Sequence, residues 1–202
     1  MIKKVIIFSM LGIFIYACGP ATEKDKEKEK EVEKTKIEQK VLTEEERSFL
    51  DNLASLCNKS FAGEQVYMKE GRESWEDKNF VMHVTVCKDD EVHIPFHLDD
   101  YESRTWMFLV DEHGLRFRHD HRYEDGTPEE KTLYGGYADG EGTQYMQKFP
   151  VDDYSVELLD DHDRKRQWNV KLAEDMSKFS YKLLYHGEIV MQADFDLTEP
   201  IN

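Results

Sequence analysis

Positive charge is scarce in this chain: 27 Lys and Arg stand against 43 Asp and Glu, a formal net charge of -16. Duplex binding needs clustered Lys and Arg to neutralise phosphates, so no nucleic-acid partner is expected. Long apolar runs are as scarce. The one from Val5 to Ala17 is too short to cross a bilayer core of roughly 30 Å, and no second run is long enough to span. Catalytic signatures are missing too, since neither Gly-x-Ser-x-Gly nor His-Glu-x-x-His occurs. Cysteine is limited to Cys18, Cys57 and Cys87, and neither Cys57 nor Cys87 has a Cys or His at ligand spacing, which argues against a metal site built on them.

What is present begins at the amino terminus. Lys3 and Lys4 precede the apolar run, which stops at Cys18-Gly19-Pro20. That order describes a secretory signal peptide over residues 1–17. Ile15-Tyr16-Ala17-Cys18 resembles the lipobox of bacterial lipoproteins, in which the cysteine is diacylated and becomes the first residue of the mature protein. The resemblance implies covalent diacylglycerol and fatty acid on Cys18; no other cofactor is expected. It also implies a cell-envelope location, at the outer membrane or cell surface, with the membrane as partner through the anchor. An ordinary secreted protein with an incidental Cys18 is the alternative.

From Pro20 to Lys40 the chain is nearly all charge, with seven acids and seven Lys. Such a stretch has too little apolar surface to offset its conformational entropy, so residues 18–42 are expected to form a disordered tether. Fully extended it reaches ~70 Å. Residues 43–202 are enough for one domain with its own core. With Cys18 lipidated, Cys57 and Cys87 are left to pair, as an oxidising compartment permits. Closing that loop of about 30 residues is worth ~3–4 kcal/mol by chain entropy.

Thr43-Glu44-Glu45-Glu46 reads as a capping box, and Phe49, Leu50, Leu53, Leu56 and Cys57 follow at helical spacing, which predicts an amphipathic helix over 44–57. After Gly63 the period changes to two. Phe80, Met82, Val84 and Val86 alternate with other residues, as do Val92, Ile94, Phe96 and Leu98. Further runs cover 63–69, 104–110, 115–123, 131–138, 143–149, 166–173, 178–186 and 188–197. Turn signals such as Asp125-Gly126 and His186-Gly187 separate several of them. About ten strands with short connections predict an all-β, antiparallel up-and-down barrel of calycin-like architecture behind one amphipathic helix. An open sandwich is the second choice. A Gly-x-Trp near the first strand, as in lipocalins, is absent, and so is a helical lid between the first two strands.

The strand 115–123 carries the most chemistry. Its alternation puts Leu115, Phe117, His119, His121 and Tyr123 on one face and Arg116, Arg118, Asp120 and Arg122 on the other, the latter reading as a solvated outer face. With the apolar face inward, His119 and His121 enter the barrel ~6.5–7 Å apart. Two imidazoles at that spacing suit a shared metal that needs a third ligand, a ligand contact, a catalytic base, or mutual hydrogen bonding only. Tyr181 and Tyr185, with Phe179 and Leu183, extend the inner face, so Phe117, His119, His121, Tyr123, Tyr181 and Tyr185 are the candidate ligand-binding residues. His93 and His97 oppose an apolar face and are expected to point outward.

The run His93-Ile94-Pro95-Phe96-His97, then Ser103-Arg104-Thr105-Trp106, Gly114 through Gly126, Tyr134-Gly135-Gly136 and Phe149-Pro150 resembles a family of uncharacterised secreted bacterial proteins over roughly 55–200. The resemblance implies an exported domain and assigns no catalytic residue. The leading expectation is therefore an envelope lipoprotein whose barrel binds a small, partly apolar ligand or an envelope protein. Its rivals are a metal protein or enzyme using His119 and His121, and a structural protein with a filled barrel.

Overall fold

The computed structural model describes residues 42–201. The signal peptide, Cys18 and the tether as far as residue 41 lie outside the described residues. Helix α1, Glu44–Ala54, starts as its cap dictates: Thr43 Oγ1 accepts the Glu46 N–H at 3.1 Å, and the Glu46 carboxylate accepts the Thr43 N–H at 3.0 Å. It ends three residues before the helical pattern does. Leu56 and Cys57 donate to the carbonyls three residues back, and Asn58 then turns left-handed at φ 59°, so the last turn tightens and stops.

Eleven strands follow: β1 Ser60–Met68, β2 Phe80–His83, β3 Val86–Lys88, β4 Glu91–Leu98, β5 Tyr101–Asp111, β6 Gly114–His121, β7 Tyr134–Tyr137, β8 Met146–Pro150, β9 Arg166–Leu172, β10 Lys178–Tyr185 and β11 Glu188–Asp196. Around the sheet the order is β7-β6-β5-β4-β2-β1-β11-β10-β9-β8, with β3 on β4, and every pair is antiparallel. This is a nearly closed up-and-down barrel, the all-β architecture that the alternating pattern predicts.

The run 80–87 is split where one strand is expected, and Pro95 supplies the reason. Thr85 N–H donates to His93 O, which puts the polar groups of residues 93 and 95 on the edge facing β2 and β3. Pro95 has no N–H to donate there, and the register slips between the pair Met82–Phe96 and the pair Val86–His93. Just beyond the break, the disulfide Cys57–Cys87 ties the end of α1 to β3 across a Cα–Cα distance of 6.1 Å.

A second correction is helix α2, Asp153–Leu159, which the sequence reading leaves out. It covers the barrel's seam. Between β7 and β8 the Asp152 N–H donates to Gly135 O at 3.1 Å and the Asp139 N–H to Lys148 O at 3.1 Å, in one antiparallel register. Between those two bonds sits Pro150, again without an N–H, so the ladder is incomplete. The two backbones pass so closely at Gly136 that a Cβ there would lie 1.7 Å from the Pro150 carbonyl oxygen.

Asp152 also caps α2 by accepting the Ser155 N–H at 3.0 Å, and its carboxylate accepts from the Arg118 guanidinium. Ser155 Oγ in turn accepts the Gly135 N–H at 2.7 Å. Arg118 is thus only 2% exposed, beneath Tyr137 and Tyr154, and not on a solvated face. The outward parity is right, but α2 lies on top of it. Burial works against ionisation of Asp152, yet the bonds from Arg118 and Ser155 prevail and hold its carboxyl below the usual range.

Inside, the alternating residues of all strands meet. At one end α1 inserts Phe49, Leu50 and Leu53, and Phe49 packs edge-on against Phe108 at 5.9 Å. Phe108, Phe117 and Phe149 complete a solid plug. The other end is lined by side chains of β1, β4, β5, β6, β7, β10 and β11 and of the 69–79 connection.

Candidate functional site

At the end away from α1 lies a cavity of about 310 Å³. Its walls are Phe96, Trp106, Tyr181 and Tyr134, with Met68, Leu183 and Met191. Trp106 is the central plate, stacked on Phe96 at 4.8 Å and on Tyr181 at 4.8 Å. Strand parity explains why β5 contributes it: residues 104, 106 and 108 share the inner face. The same parity carries Arg104 inward. Its guanidinium lies over the rings of Trp75, at 5.2 Å, and Tyr101, at 5.0 Å. The backbone at Trp75 is tied down by its main-chain N–H donating to Gln65 Oε1 at 2.7 Å, which holds the ring over the cavity. Arg72 and Glu73, from the same connection, stand exposed at the rim.

Of the residues predicted from sequence, His119, His121 and Tyr181 line this cavity together. His119 is buried and spoken for at both nitrogens. Nδ1 lies 3.2 Å from Tyr134 O, a pure acceptor, so it carries the proton; Nε2 then accepts the Tyr181 hydroxyl at 2.9 Å. Burial first, then the His121 and arginine charges, pushes the His119 pKa well below its ordinary value. Burial followed by Arg104 lowers that of His121, whose Nε2 sits 3.3 Å from the Tyr134 hydroxyl. Burial raises Tyr134 to about 12 and Tyr181 well above the usual phenol. At neutral pH the imidazoles and phenols are therefore uncharged, and the arginines supply the positive charge.

Three predicted residues sit elsewhere. Phe117 is fully buried in the phenylalanine plug, beneath His119 rather than on the cavity wall. Tyr123 is 52% exposed, because the chain leaves the sheet after His121 and turns through Asp125-Gly126. Tyr185 keeps the parity of Tyr181 and Leu183, in unbroken register opposite Arg166 of β9, but it stands at the end of β10 beyond the cavity, where Arg166 covers it at 5.6 Å. Among the described residues no group of three His, Cys, Asp or Glu is placed to hold a metal ion.

Arg104, Trp106, Trp75, Tyr134 and Arg72 are among the cavity residues that the sequence does not single out. The available signal is an arginine at an inward position of a strand whose next two inward residues are Trp and Phe. A separate polar chain runs on the outer face, where Ser60 Oγ lies 2.6 Å from His83 Nδ1 and His83 Nε2 lies 3.1 Å from His97 Nδ1. His97 does point outward, as its parity indicates.

No protein-family model matches the chain, and no curated protein matches it. Among solved structures, a redesigned beta barrel is similar over 73% of this chain and 96% of its own, at 9% identity and a TM-score of 0.31. Likeness at that level carries no functional argument.

Proposed function

We propose that this chain is an envelope lipoprotein, acylated at Cys18 and set off from the membrane by its charged tether, whose barrel holds a small, partly apolar molecule. The observation that carries the reading is the cavity. Aromatic and methionine walls with a few convergent polar groups, in about 310 Å³, are the composition of a small-molecule site. The barrel is plugged at the α1 end only, which distinguishes this reading from a wholly filled structural barrel. A metal or catalytic role for His119 finds less support, because both of its nitrogens are already engaged.

Two tryptophans in the walls make the test direct. The neutral fluorophore N-phenyl-1-naphthylamine should bind the purified protein saturably at one site and quench Trp75 and Trp106. Leu183→Trp, which fills the cavity, should abolish that binding with the circular dichroism unchanged. Absent binding, or binding indifferent to Leu183→Trp, would refute the proposal.

A further inference from the structure

Eight arginines fall among the described residues, and six of them have polar partners. Arg116, Arg118, Arg122, Arg164 and Arg166 meet Asp carboxylates, and Arg47 donates to the Asp89 carbonyl. The side chains of the other two, Arg72 and Arg104, make no hydrogen bond or ion pair among the described residues, and both line the same cavity. In a chain with 43 acids, leaving these two guanidiniums without a carboxylate is a conspicuous arrangement. Arg104 is the more telling. Its Nε is a buried donor with no acceptor, and its contacts are the faces of Trp75 and Tyr101, which fix the plane of the guanidinium without using its N–H groups. Those groups remain available beside the aromatic wall. Glu73 also stands at the rim but bonds to neither arginine.

We propose that Arg104, with Arg72 at the mouth, is an anion seat, and that the molecule held in the barrel is a small carboxylic acid with a flat or apolar body. This rests on the cavity's being a binding site, as proposed above. A planar guanidinium held between rings matches a planar carboxylate through two parallel N–H bonds, whereas the apolar walls take the rest of the molecule. The neutral imidazoles of His119 and His121 add no competing anion, and the uncharged phenol of Tyr134 adds a polar contact.

A matched pair of probes separates the two proposals. By titration calorimetry at low salt, 2-naphthylacetate should bind the full-length protein roughly 10- to 100-fold tighter than the neutral 2-naphthylacetamide. Arg104→Gln should erase that preference and Arg104→Lys should restore part of it. The neutral fluorophore should still bind Arg104→Gln saturably at one site, which shows that the cavity persists. Equal binding of acid and amide, or a preference that survives Arg104→Gln, would overturn the anion seat and leave the cavity reading standing. Binding of neither naphthyl compound nor the fluorophore would overturn both.

Discussion

At the scale of single residues, His119 is a buried imidazole that folding keeps neutral. Its folded pKa is depressed, so below the ordinary histidine value the unfolded chain binds a proton that the native chain refuses. Stability therefore rises with pH through the window just below 6.5, at up to about 1.4 kcal/mol per pH unit for one such group, and is fully present above it. Urea titrations at pH 5 and pH 7 should show that rise, and His119→Phe should flatten it. The same substitution strands the Tyr181 hydroxyl and the Tyr134 carbonyl, at a cost of about 1–3 kcal/mol at pH 7. An unchanged slope in His119→Phe would mean that another group sets the pH dependence. His119, His121 and Tyr181 were legible because each sits in an unbroken alternation. Tyr185 shares that alternation but stands at the strand end beyond the cavity, a matter of depth that parity does not report, and Arg104 hid behind the habit of assigning arginines to solvent.

At the scale of elements, the seam is the weak point and α2 is its cover. Arg118 and Asp152 form one pair, Arg118 buried and Asp152 half-buried, so removing one partner leaves the other without its counter-charge. Arg118→Met should cost about 3–5 kcal/mol, and Asp152→Asn added to it should cost much less than its effect alone, as a double-mutant cycle would register. Additive losses would show that the two side chains do not act together. Because the Asp152 carboxyl is held low, its contribution is present at neutral pH and is lost as the pH falls through its folded pKa, the same sign as for His119. Gly136→Ala should prevent the β7–β8 approach altogether, destabilising the barrel by at least about 1–3 kcal/mol in thermal melts. Replacing Cys57 and Cys87 by Ala should cost about 3–4 kcal/mol by releasing a loop of 30 residues. The strands read well from period two, and the capping box located the start of α1 to the residue. The split of 80–87 did not, because it answers Pro95 on the neighbouring strand, and α2, although Asp152 caps it, is only seven residues long, too short for a helical period to show.

At the scale of the whole molecule, an up-and-down meander explains how ten short, individually marginal strands become one stable body: each is paired on both sides except at the covered seam. One end is packed solid by α1 and the other is walled by aromatics, so the same fold supplies both stability and a site. Under the proposed acylation of Cys18, the charged tether would keep that site in the aqueous space beside a membrane. Palmitate labelling should mark the parent chain and not Cys18→Ala, while the barrel's stability stays the same. The measurement that bears most directly on the central claim is native mass spectrometry of the full chain, isolated from its own membranes in mild detergent. A fraction heavier than the acylated polypeptide by one small acidic molecule, lost in both Leu183→Trp and Arg104→Gln, is the expected result. Acylated polypeptide at its bare mass, with no carboxylate from a cell extract retained by either parent or variant, would contradict it.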